Sequence, residues 1–237
     1  MLRLRKSSER GRGHLDWLES WFSFSFDQYY DARHMRWSAL RVLNEDIIAP
    51  GGGFDMHPHR DMEIISYILE GSLRHKDNLG HESVVTPGEI QVMTAGSGIL
   101  HSEFNPEKSI KTHMLQIWIM PAEKSRQPAW SQHRWDDRAP DSRGLILLAS
   151  PDGRDQSARV GQDVLVWQVG HSGKGSYKLA LTPDRKGWLQ IAGGSVTVQG
   201  TTQTIDLSAG DAVAIEEESV VELSNVRDLN ALWFDLP

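Results

Sequence analysis

Two short pairs of side chains carry the plainest chemistry in this chain. They are His57-Pro58-His59 and His101-Ser102-Glu103. Alternate residues of a β-strand point to the same face, so each pair presents both side chains to one side if its segment is extended. Two such strands side by side gather three imidazoles and one carboxylate. Neutral imidazole with carboxylate suits Fe(II), Mn, Ni, Co, Cu or Zn rather than Mg or Ca. Each pair follows a glycine-rich turn, Gly51-Gly52-Gly53 and Gly96-Ser97-Gly98.

Glu63 shares the parity of His57 and His59 and is a further carboxylate candidate, ranked below Glu103. His14, His34, His133 and His171 have no partner at ligand spacing. His75 and His81 flank the polar turn Lys76–Gly80 and are expected in solvent. His113 opens a strand, where it either faces a cavity or is satisfied locally. The chain has no cysteine, which excludes disulfides and thiolate ligands and leaves any metal to His and carboxylate.

The elements that must position these groups read as strands. Ser38–Val42, Glu63–Leu69, Ile90–Met93 and Met114–Ile119 are short, rich in β-branched and aromatic residues, and separated by Gly, Pro, Asn and Asp turns. Short helical pieces are expected near Ala122–Trp130. The polar, proline-bearing stretch from about 121 to 144 reads as a connection. Strands resume at Trp188–Val198, Gln203–Leu207, Ala212–Glu216 and Leu229–Phe234. Glu70–Met93 and Gly193–Ile215 share an order of Gly-Ser, strand, glycine turn, strand, Gly-acidic, strand. This weak repeat points to two copies of one all-β barrel.

A net charge of −7 argues against direct nucleic-acid binding. The basic cluster Arg3, Arg5, Lys6, Arg10 and Arg12 is expected to be a solvated edge. No apolar run is long enough to span a membrane and no secretory leader is evident, so a cytoplasmic protein without membrane contact is expected.

The motifs resemble those of the cupin superfamily. Gly51, His57, His59 and Glu63 fit its first motif, with Gly71 one residue late. Gly98, His101 and Asn105 fit the end of its second, with Gly96 where a proline is usual. These departures resemble the pirin family, especially bacterial pirins similar to quercetin 2,3-dioxygenase. The resemblance is carried by Trp17–Phe26, Leu40–Asp46, His57–Ile64, Gly98–Asn105 and Gln116–Pro121, and again by Trp233–Pro237.

The resemblance implies two tandem cupin (jelly-roll) barrels, an N-terminal metal-binding one over 1–130 and a metal-free one over 131–237. It implies one divalent transition metal, Fe(II) first and Zn, Ni, Co, Cu or Mn as alternatives, on His57, His59, His101 and Glu103, and it demotes Glu63. It further implies a dioxygenase that opens a flavonol-like ring with O2 and releases CO, with Glu103 also taking the 3-hydroxyl proton. The alternative it implies is a regulatory protein that senses redox state through its iron. Trp21–Phe26, Gln116 and Trp118 are candidate cavity walls. Substrate contacts and protein partners are not legible, and a monomer is expected because two fused barrels already supply the pairing of single cupins.

Overall fold

The computed structural model of the chain describes residues 1–171 and 173–237. Its contacts form two compact units. One comprises 11–136 and 158–162; the other comprises 1–10, 137–157 and 163–237. In chain order the strands begin with β1 (Leu2–Arg5), β2 (Gly11–Leu15), β3 (Leu18–Phe22), β4 (Leu40–Ile48), β5 (Gly53–His59) and β6 (Glu63–Glu70). Next come β7 (Leu73–Asp77), β8 (Glu82–Val85), β9 (Glu89–Thr94), β10 (Ile99–Phe104), β11 (Thr112–Ile119) and β12 (Ala129–Arg134). The remainder are β13 (Leu145–Ser150), β14 (Ala158–Arg159), β15 (Leu165–Val169), β16 (Tyr177–Ala180), β17 (Lys186–Gln199), β18 (Thr204–Ser208), β19 (Ala212–Ile215) and β20 (Val220–Leu236).

The all-β reading holds: among the described residues the helical pieces are single turns at Ser7–Glu9 and Arg154–Gln156. The unit containing both histidine pairs is a two-sheet cupin barrel. One sheet has the order β12-β9-β6-β11-β4-β3-β2, and the other β5-β10-β7-β8. Leu40, Leu43, Ile48, Ile64, Ile65, Met93 and Ile117 are fully or nearly fully buried. Burial of side chains of this size stabilises the fold by about 1.5–3 kcal/mol each, before the entropy of ordering the chain is subtracted.

The other unit is a second barrel with strand order β1-β19-β17-β20-β15-β13, β16 pairing with β20 and β18 with β17. Its core includes Trp167, Leu189, Ile191, Val213, Leu223 and Trp233. The weak sequence repeat corresponds to a shared hairpin. Leu73 to Lys76 pairs with Val85 to Glu82 in the first barrel, and Ser195 to Gln199 with Ser208 to Thr204 in the second.

Two local expectations differ from the structure. The stretch near Ala122–Trp130 forms no helix: its end enters β12, which pairs with β9, and Pro121 and Pro128 interrupt what precedes it. The basic N-terminus is not simply a solvated edge, since Arg5 and Arg10 are buried. Arg5 donates to the Glu9 carbonyl, and Arg3 pairs with Glu216. No helix of the described residues is long and apolar enough to cross a membrane.

Candidate metal centre

Strand pairing brings the two sequence pairs together. His101 lies opposite His57 on antiparallel β10 and β5. Between His101 and Glu103 the register shifts, so that Glu103 faces Phe54; β5 carries the extra residue. The burial of β10 alternates, with Ile99, His101 and Glu103 inside. The ring centroids of His57, His59 and His101 are mutually 4.5–4.9 Å apart. One ligand atom from each lies within 4.8 Å of the others.

Burial, then the neighbouring His57, lowers the pKa of His59 to about 4. Burial followed by His57, His59 and His75 pushes His101 further down. Both rings are therefore neutral at physiological pH, with a lone pair available. The His57 Nδ1 is 2.7 Å from the carbonyl oxygen of Asp55 and donates its hydrogen there, which frees Nε2. The His101 Nε2 is buried with no hydrogen-bond partner among the described residues. An orphaned buried nitrogen beside two further imidazoles fits a divalent transition metal, which would satisfy all three.

Glu103 is reached through His101 rather than through the other two rings: its carboxylate lies within 4.8 Å of ligand atoms of His101 and His75. Ser66 Oγ donates to it at 3.2 Å and Gln116 Nε2 at 2.7 Å. Burial, with Asp46 adding to it against these two donors, pushes its carboxyl up to about 7. The donors come from a polar row across the larger sheet, in which Gln91, Ser66, Gln116 and Asn44 are successive cross-strand neighbours on β9, β6, β11 and β4.

Glu63 points elsewhere. β5 ends at His59, the chain turns through Asp61 at φ 51°, and Glu63 opens a new strand, so parity does not carry across. Ser66 faces the site, which places Glu63 on the opposite face of β6. There Glu63 accepts from Thr94 Oγ1 at 2.7 Å and lies beside Gly161.

His75 does not face solvent as its polar neighbourhood suggests. It is fully buried and stacks on Trp130. Its signal was present as His75-x-Asp77, the same i, i+2 spacing that marked the other pairs. His81 reaches back to Asp77 Oδ2 at 2.8 Å, and its side chain is 38% exposed. His113 is satisfied by Glu45 at 2.8 Å, and His34 by Asp31 at 2.9 Å.

A cavity of about 620 Å³ opens over the imidazoles, within the range usual for small-molecule sites. His57, His59, Glu103 and Gln116 line it, with Phe22, Phe26 and Trp118 among its aromatic walls. Of the expected Trp21–Phe26 wall, the run supplies Phe22 and Phe26; Phe24 is buried in the core. His14 also lines the cavity, which its isolation in the sequence did not suggest.

Fold and site together define a bicupin with a histidine-rich centre in its N-terminal barrel. The chain belongs to the pirin family: the pirin model matches residues 3–119, and a model described as the quercetinase C-terminal cupin domain matches 147–236. It is 42% identical over 239 residues to the quercetin 2,3-dioxygenase of Escherichia coli (strain K12), covering 100% of this chain and 99% of that protein. It is 38% identical to a pirin-like protein of Caulobacter vibrioides, with 92% of each covered. The crystal structure of the bacterial pirin YhhW from Escherichia coli in complex with nickel(II) superposes with a TM-score of 0.91 at 41% identity, covering 100% of this chain and 99% of that one.

Proposed function

We propose that this chain is a metal-dependent dioxygenase of flavonol-like polyphenols. By this reading His57, His59, His101 and Glu103 hold one divalent transition metal, Fe(II) in the first instance. The observation that carries it is the convergence of three imidazoles, two of which line an aromatic-walled cavity. The relatives named quercetin 2,3-dioxygenase support the substrate class. When bound, the metal supplies the redox chemistry by which O2 reacts with an electron-rich ring.

The chain's own residues do the rest. Phe22, Phe26 and Trp118 receive the flat rings and exclude water. Glu103 accepts the proton of the flavonol 3-hydroxyl. Ser66 and Gln116 hold the carboxylate in one orientation as the proton moves. The reaction consumes O2, opens the central ring and releases CO.

Aerobic quercetin turnover and CO release by the Fe(II)-loaded protein test the reading. Metal-dependent turnover that His101→Ala abolishes is the expected result. One bound metal with no turnover would shift the function to a redox-sensing regulatory protein. Absence of bound metal would overturn both.

A further inference from the structure

A third strand borders the centre, and neither ligation nor proton transfer uses its polar groups. On β7, His75 lies opposite Glu103 and Asp77 opposite His101. The strand alternates buried and exposed, so Leu73, His75 and Asp77 face inward. The His75 Nδ1 is 3.4 Å from the His101 Nδ1, and the His75 Nε2 is 3.2 Å from Asp77 Oδ2. Trp130 stacks against both His75 and His81, at 5.7 and 5.4 Å between ring centroids.

The hydrogens along this chain of groups follow from Asp77. Its Oδ1 accepts the backbone N–H of Leu79 at 2.9 Å and of His81 at 3.0 Å. Its Oδ2 faces His75 Nε2 and His81 Nδ1. Two backbone N–H groups and two ring nitrogens thus converge on Asp77, the surroundings of an ionised carboxylate. An ionised carboxylate only accepts, so both imidazoles donate to it. His75 then carries its hydrogen on Nε2 and, being neutral, presents a lone pair at Nδ1. The nitrogen facing that lone pair, His101 Nδ1, must be the donor. The lone pair of His101 is left on Nε2, the buried atom without a partner.

We propose that His75 and Asp77 are positioning residues of the metal centre: they fix His101 as the Nδ1–H tautomer and hold its ring so that Nε2 is the nitrogen offered to a divalent transition metal. This rests on His101 being a ligand, as proposed above. A carboxylate acting on a ligand through an imidazole extends the usual histidine–carboxylate arrangement by one ring. His81, partly exposed, braces the outer side of Asp77.

Long-range 1H–15N NMR of the metal-free and Zn(II)-loaded wild type reads the tautomers directly. The expected spectrum has His101 protonated on Nδ1 and His75 on Nε2. Ni(II) competition titrations then compare two variants. His75→Phe fills the space without an acceptor and should bind Ni(II) about 10–100-fold more weakly. His75→Asn places an amide oxygen near the Nδ1 position and should recover most of the affinity. A wild type with His101 protonated on Nε2 would overturn the inference alone, leaving the metal site standing. Unchanged affinity in His75→Phe would do the same. Loss of Ni(II) from both variants would make His75 a ligand and equally defeat a positioning role. No Ni(II) binding by the wild type would remove the metal reading and this inference together. The wild-type spectrum decides the matter even if a variant fails to fold.

Discussion

His101 sits directly opposite His57 across β10 and β5, and their rings are 4.5 Å apart. Cross-strand pairing, rather than proximity in sequence, therefore builds the imidazole cluster. Replacing His57 or His101 with Ala should reduce bound metal from about one per chain to almost none. Chelation should lower the wild-type melting temperature, because a ligand at 100 times its Kd stabilises by about 2.7 kcal/mol. In His101→Ala, added Ni(II) should leave the melting temperature unmoved. Metal analysis with thermal scans checks both, and an unaltered metal content in His101→Ala would refute the assigned site.

The two candidate carboxylates should separate cleanly. Glu63 faces Thr94 and Gly161, away from the imidazoles. Glu63→Gln should leave Ni(II) affinity within error of wild type. Glu103→Gln should weaken it by at least the roughly 10–100-fold typical of lost outer partners, and should also reduce flavonol turnover. Calorimetric titration of the two variants distinguishes the roles, and the opposite ranking would make Glu63 the ligand.

Period-two alternation within a strand was legible, as His57/His59 and His101/Glu103 show, because it depends only on local extended geometry. Parity across an unseen turn was not. The turn through Asp61 separates β5 from β6, so Glu63 does not share the face of His57. Burial of polar residues was equally hidden. His75 sits in LRHKD, a segment as polar as any loop, and only its place between β10 and β8 makes its inner face dry. Arg5 escaped in the same way, since its partner is a backbone carbonyl that the sequence does not mark.

Gly53 is needed for a different reason than tight turning. A Cβ there would meet the Glu103 carbonyl oxygen at 2.3 Å and the Phe104 Cα at 2.6 Å. Both are backbone, so β5 and β10 would have to separate where they set the register of the site. Gly53→Ala should cost about 1–3 kcal/mol of stability and weaken metal binding together. Gly51→Ala is a useful contrast: its Cβ meets nothing within 4 Å, so its cost is the strain of φ 72° alone. Urea unfolding with parallel Ni(II) titration would show whether metal affinity falls in Gly53→Ala and not in Gly51→Ala.

Asp46 introduces a pH dependence of stability. Burial, with Glu45 adding and Ser20 and His113 opposing, raises its carboxyl to about 6. The folded state therefore holds a proton on Asp46 that the unfolded chain has lost between about pH 4 and 6. Stability falls as pH rises through that window, and the penalty is complete above pH 6. Asp46→Asn keeps an acceptor for the Ser20 hydroxyl, now 2.6 Å from Asp46 Oδ1. In the metal-free protein it should raise stability at pH 7 by about 1–3 kcal/mol, at roughly 1.4 kcal/mol per pKa unit. At pH 4 it should change little. Denaturant midpoints at the two pH values test this, and an equal effect at both would exclude the titration of Asp46 as its source.

Phe26 offers the sharpest test of the cavity wall, because it touches the site without touching an imidazole ligand. Its ring meets Trp118 edge-on at 5.5 Å, and Trp118 in turn meets His59 at 4.9 Å. A flat polyphenol entering the cavity would lie against this aromatic pair. Losing one aromatic contact costs about 0.5–1.5 kcal/mol, or up to about tenfold in affinity. Phe26→Ala should therefore raise the quercetin KM by up to about tenfold, with metal content unchanged and kcat much less affected. Phe26→Leu, which keeps apolar volume but not the ring, should fall between. Steady-state kinetics alongside metal analysis decides the point. An unchanged KM in both variants would place the substrate elsewhere in the cavity, whereas loss of metal would mean that Phe26 supports the barrel and not the substrate.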